Sequence, residues 1–180
     1  CAQRNAEVEE PGPDDLYSVG SVVMILRMIK MAEGQVKILV QGVARARISD
    51  VDVQGPLLLA HIEELEEKAS PVSDVELEAM LRTAREQSEK ILQLRGLPAG
   101  EIMNVLSSVS EPGRLADLIA TNMRLGLADA QALLECLDPV ERLRRVNDHL
   151  FREAEVASLQ ARIQSMAREG MEKAQKEYFL

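Results

Sequence analysis

Aromatic residues are nearly missing from this chain: no Trp, and only Tyr17, Phe151, Tyr178 and Phe179 among 180 residues. The stacking platforms that single-stranded nucleic acid favours are therefore not available, and any core must be aliphatic. Histidine is equally scarce. His61 and His149 have no Cys or His partner at ligand spacing, so they read as a strand residue and a helix-surface residue rather than a metal site. The two cysteines, Cys1 and Cys136, are too few for a disulfide framework, which makes a reducing, cytoplasmic setting the expectation. Cys136, in an apolar run near a helix end, reads as a small core residue rather than a nucleophile. None of the ten glycines precedes a lysine, so a G-x-x-x-x-G-K-[ST] phosphate loop is lacking. No apolar run approaches the roughly 18 residues that cross a bilayer, and no signal-peptide pattern opens the chain. Basic residues are outnumbered 21 to 30 and the net charge is −9, against a general phosphate-binding surface.

What is present is enough to build a core, since 46% of the residues are hydrophobic. Residues 1–18 carry Glu7, Glu9, Glu10, Pro11, Gly12, Pro13, Asp14 and Asp15 and read as an acidic loop. Strand patterning then dominates residues 19–65. Val22 to Ile29 is mostly apolar on both faces, as in a strand covered on both sides; Glu33-Gly34 supplies a turn. Val36, Ile38 and Val40 alternate with Gln35, Lys37 and Gln41, as a half-buried strand requires, with Leu39 the exception on the polar face. Arg45 and Arg47 lie opposite Ala44, Ala46 and Ile48 in a third strand with one wet side. Gln54-Gly55-Pro56 interrupts the pattern. Leu57 to Leu65 resumes it as a fourth strand, although Glu63 to Lys68 equally fits a helix.

Near Ser70-Pro71 the period changes from two to 3.6, which places a boundary there. Ser73 and Glu76 have capping-box spacing before the stripe Leu77, Met80, Leu81, Ala84, Ser88, Ile91 and Leu92, and Gly96 with Pro98 ends that helix. Shorter helices follow around Ile102–Val109, around Leu115–Met123 behind Pro112, and over Leu127–Cys136. Asp138-Pro139-Val140-Glu141 combines an N-cap with proline at the first helical position. The helix it opens runs to Leu180, about 60 Å at 1.5 Å per residue, with a seam through Leu143, Val146, Leu150, Ala154 and Ala157 that shifts phase to Leu159, Ile163 and Met166. Its second half is expected to protrude and to need a partner helix or a following domain. The expected fold class is α+β: a β part over 1–69, a helical bundle over 70–137 and a long helix over 138–180. The Cys1 start and the helical pattern at Leu180 read as parts of something longer.

Four strings, in order, resemble the N-terminal region of Lon proteases: VGSVVMILRMIKMAEGQVKILVQGVARARI from Val19, PGRLADLIA from Pro112, LDPVERL from Leu137 and MEKAQKEYFL from Met171. The resemblance implies a PUA-like β pseudo-barrel, here partial because the family's opening strand segment and following helix have no counterpart, so that a sheet edge is left open. It implies a domain that holds unfolded or misfolded proteins and helps a hexamer assemble. It also implies that this stretch is not itself an enzyme: the parent's Ser-Lys dyad, and its ATP and Mg, belong to modules outside it. No catalytic, metal or cofactor residue is expected among these 180.

For contact with substrate, Leu26, Met28 and Met31 near the hairpin tip are the candidates, because flexible, polarisable side chains suit many partners. Filling of a barrel interior is the simpler reading for Met24. Leu159, Ile163 and Met166 are the candidate oligomerisation seam. Arg45 and Arg47 read as a solvated strand face in preference to an RNA-contacting one, and no membrane partner is expected. The alternatives kept open are a stand-alone adaptor or ligand-binding protein on the same fold, and a coiled-coil oligomerisation module.

Overall fold

A computed structural model describes residues 1–54 and 57–178 of the chain. Among them are three strands in one antiparallel sheet of order β1-β2-β3, and five α-helices, an α+β arrangement. β1 is Val19–Lys30, β2 Val36–Gln54 and β3 Leu57–Glu64; α1 is Asp74–Leu94, α2 Gly100–Ser107, α3 Pro112–Asn122, α4 Leu127–Glu135 and α5 Pro139–Tyr178. They fall into two compact units, residues 1–68 with 125–137, and residues 69–124 with 138–180.

In the first unit the expected second and third strands are one. β2 runs 19 residues without a break because irregularities absorb its bending: β1 and β2 shift register at Val22/Val23 and at Ile25/Arg27, and β2 and β3 shift between Ser49 and Asp52. Asp50 sits in that last bulge at φ 47°, a left-handed conformation that aspartate tolerates better than most residues. The expected fourth strand is therefore β3, and it settles Glu63 and Glu64 as strand; the Gly55-Pro56 interruption lies outside the described residues. The turn forms as expected, with Gly34 at φ 77° and Met31 N–H donating to Gln35 O at 2.8 Å.

The acidic segment is more ordered than a plain loop. Gln3 bridges Leu16, Arg4 N–H donates to Asp15 O at 2.7 Å and Tyr17 N–H to Ala2 O at 2.9 Å, while the Arg4 guanidinium lies 4.5 Å over the Tyr17 ring. This fold-back explains a glycine. A Cβ at Gly20 would fall 2.5 Å from Cys1 Sγ and 3.1 Å from Cys1 Cα.

α4 also belongs to this unit and not to the bundle expected over 70–137. Two polar side chains hold it: Gln131, buried, donates to Val19 O at 3.0 Å, and Arg45 Nε donates to Leu134 O at 3.0 Å. Arg45 also meets Glu67 at 2.7 Å and is mostly buried, so the wet strand face expected for Arg45 and Arg47 holds only for Arg47.

The helical unit follows the sequence closely. Ser73 Oγ accepts from Glu76 N–H at 3.2 Å, and α1 buries Leu81, Ala84, Ser88 and Ile91. It ends in a Schellman pattern, with Gly96 at φ 65°, Gly96 N–H on Gln93 O and Leu97 N–H on Leu92 O. Leu115, Ala116 and Ile119 of α3 pack with Val140, Leu143, Val146, Leu150, Ala154 and Ala157 of α5 into an aliphatic core. Leu106 and Val109 join it, whereas Ile102 and Val105 of the same sequence stripe stay exposed.

Candidate protein-binding surface

The distal part of the β1–β2 hairpin departs most from expectation. Instead of being covered, every residue from Ser21 to Lys30 is exposed, and Val36, Ile38 and Val40 are exposed opposite them. The register explains how the faces are composed. Val23 lies opposite Gly42, Ile25 opposite Val40, Met28 opposite Ile38 and Lys30 opposite Val36; cross-strand partners share a face. One face therefore collects Val23, Ile25, Met28, Val36, Ile38 and Val40, with Lys30 at its end. The other mixes Met24, Ile29 and Leu39 with Arg27, Lys37 and Gln41.

The residue that makes this possible is Leu26. It has no partner in the register, which passes from Ile25/Val40 to Arg27/Leu39, so Ile25 and Met28 come to one face although three positions apart. Simple alternation would have put Met24 with Met28 and missed Ile25. Of the candidates named from sequence, Met28 lies on the apolar face at 56% exposure, Leu26 occupies the bulge at 52%, and Met31 caps the turn at 53%. β1 is also an edge strand of the described sheet, so its outer backbone groups face away from β2. Continuous exposed apolar surface of this kind marks interaction sites in soluble proteins.

A second apolar feature lies in the helical unit. Ile91, Leu106, Ile119 and Leu150 line a half-open groove of about 80 Å³, with Arg95 paired to Glu153 at its lip. A third is the far part of α5, where Leu159, Ile163 and Met166 are exposed at 57%, 58% and 69%.

The described residues place no group of three or more His, Cys, Asp or Glu to hold a metal ion. His61 is exposed on β3, His149 is half-buried on α5 and Cys136 is half-buried at the end of α4. No described helix is long and apolar enough to cross a membrane.

Residues 1–152 match the family model of the ATP-dependent protease La (LON) substrate-binding domain. Over 180 residues the chain is 58% identical to a Lon protease of Desulfovibrio desulfuricans, covering all of this chain and 20% of that protein. Against the Lon protease of Escherichia coli K12 it is 40% identical over 179 residues, 99% of this chain and 23% of the other. The chain thus spans about one-fifth of the length of the curated relatives it matches. Among solved structures, the N-terminal domain of Mycobacterium avium complex Lon protease superposes with a TM-score of 0.62 at 29% identity, over 78% of this chain and 73% of that one. A Lon N-terminal domain protein from Xanthomonas campestris, 16% identical with a TM-score of 0.52, shares the fold.

Proposed function

Because the chain belongs to the family of Lon substrate-binding domains, we propose that it is the substrate-recognition region of a cytoplasmic, ATP-dependent Lon-type protease and captures exposed apolar segments of unfolded or misfolded proteins. The observation that carries the reading is the apolar hairpin face on Val23, Ile25, Met28, Val36, Ile38 and Val40, six side chains left in water on one side of a ribbon. Leaving them there costs hydrophobic free energy that a bound apolar segment recovers, at roughly 25 cal/mol per Å² covered. Each such contact is weak and sequence-tolerant. Several copies in a hexameric ring raise the effective concentration, so retention does not require tight single-site affinity.

On this reading the stretch performs no catalysis. ATP, Mg and a Ser-Lys dyad operate in other modules of an AAA+ serine protease, and the sheet is part of a PUA-like pseudo-barrel. Nucleic acid is not a partner. A second role rests on the Leu159, Ile163 and Met166 seam, whose exposure on α5 suits coiled-coil assembly of the hexamer.

The test is equilibrium binding of the chain to a labelled, permanently unfolded polypeptide and to the folded form of the same polypeptide. The reading expects binding of the unfolded form alone. Equal binding of both, or of neither, contradicts it. A stand-alone adaptor is the competing reading, and it requires that the natural reading frame carry no ATPase phosphate loop beyond Leu180.

A further inference from the structure

The connector that leads into α1 and the first turn of α5 share one carboxylate. Asp138 Oδ1 accepts from Val140 N–H at 2.9 Å and Glu141 N–H at 3.3 Å, capping α5. The same oxygen accepts from Ser70 N–H at 3.3 Å, and Oδ2 accepts from the Ser70 hydroxyl. Helix caps ordinarily serve their own helix. This one also binds a residue 68 positions away in sequence.

A charged chain closes the arrangement from the other side. Glu141 receives Arg144 Nη1 at 2.7 Å, Arg144 Nη2 reaches Glu76 at 3.4 Å, and the Glu76 N–H is the donor that Ser73 caps at the start of α1. Ser70, Asp138, Glu141, Arg144, Glu76 and Ser73 therefore form a loop of contacts joining the beginnings of α1 and α5 to the connector between Ser70 and Ser73. The exposed Arg144 pairs are individually weak. The Asp138 clamp is the stronger link, because an ionised acceptor bonds two helix-terminal amides, a further backbone amide and a hydroxyl together.

We propose that Asp138 is a positioning residue that makes the connector and the first turn of α5 a single cooperative element, so that loosening either one loosens the other. This goes beyond substrate capture and does not depend on it. It assigns the start of the long helix a conformational device through which a disturbance at residues 69–71 is felt in α5.

The experiment is hydrogen exchange on the intact chain, read at the amides of residues 69, 70 and 72 and of 140–142, for the natural sequence, Ser70→Ala, Asp138→Asn and the double variant. Asparagine keeps the capping ability, so α5 retains its start in Asp138→Asn. The expected result is about fivefold faster exchange at residues 140–142 in Ser70→Ala, the magnitude of one lost hydrogen bond, and similarly faster exchange at residues 69, 70 and 72 in Asp138→Asn. The double variant should be no faster than the quicker single one. Exchange that rises only on the substituted side, or effects that add in the double variant, would overturn the proposal. Exchange in the Leu143–Ala157 core, unchanged in every variant, shows that the fold is kept.

Discussion

Arg142 is 1% exposed in α5, and its Nη1 donates to both carboxylate oxygens of Asp117 on α3, at 3.0 and 2.9 Å, while Asp117 itself remains 44% exposed. A guanidinium so deeply placed depends on its acceptors, because an incompletely satisfied buried cation is costly. Asp117→Ala should therefore destabilise the helical unit by about 2 kcal/mol. Arg142→Ala should cost more, about 3–5 kcal/mol, since it also removes a large, fully buried side chain from the interior. Urea unfolding followed by far-UV circular dichroism measures both, and a neutral Asp117→Ala would show that the pair is dispensable.

Stability should fall in acid in a defined window. The Ser70 hydroxyl, then the backbone amides at the start of α5 and of Ser70, hold Asp138 below the ordinary aspartate value of 3.8, and Arg145 and Arg144 hold Glu141 below 4.5. A carboxyl whose folded pKa is lowered contributes its full stabilisation above its unfolded pKa and loses it as the pH falls through the folded one. The contribution of these two groups should be complete above about pH 5 and decline progressively below pH 4. In Asp138→Asn the decline should be shallower. Thermal unfolding between pH 2 and 7 checks this.

Burial divides a stripe that sequence spacing treats as uniform. Leu106 and Ile102, one turn apart in α2, both line the helical groove, but Leu106 is at 5% exposure and Ile102 at 39%. Leu106→Ala should cost about 2–4 kcal/mol and Ile102→Ala under about 1. Equal costs would mean that the groove closes over Ile102 in solution.

The exposed end of α5 should respond in the opposite way. Leu159→Glu and Ile163→Glu remove apolar side chains from water, so folding stability should change by no more than about 0.5 kcal/mol. Self-association, followed by sedimentation with and without these substitutions, should weaken. A sedimentation profile that is identical in both, and monomeric, contradicts the seam.

Most of the helical unit was legible in the sequence, because caps and stop signals are local. Ser73, Gly96 and Asp138 act on amides or carbonyls within a few residues, Pro112 fixes the backbone at the first position of α3, and each lies where spacing placed it. The hairpin was legible as strands but not as faces. A bulge at Leu26 leaves no local signature, and a shift of one residue exchanges the two sides of a strand. The attachment of α4 to the strands was invisible for a different reason. It depends on Gln131 reaching Val19 and Arg45 reaching Leu134, pairings over 112 and 89 residues that no periodicity encodes. Arg45 consequently read as a solvated residue when it is a tie.

The central claim is that the apolar hairpin face captures unfolded protein, and paired substitutions test it most directly. Met28→Ser with Ile38→Ser removes two facing side chains from the exposed surface, so the fold should persist, as amide exchange in β1 and β2 can verify. Fluorescence anisotropy of a labelled, permanently unfolded polypeptide titrated with each chain then gives the comparison. The account predicts at least tenfold weaker binding by the double variant, about 1.4 kcal/mol, with a smaller loss for Met31→Ser. Undiminished binding by a folded Met28→Ser/Ile38→Ser chain would contradict it.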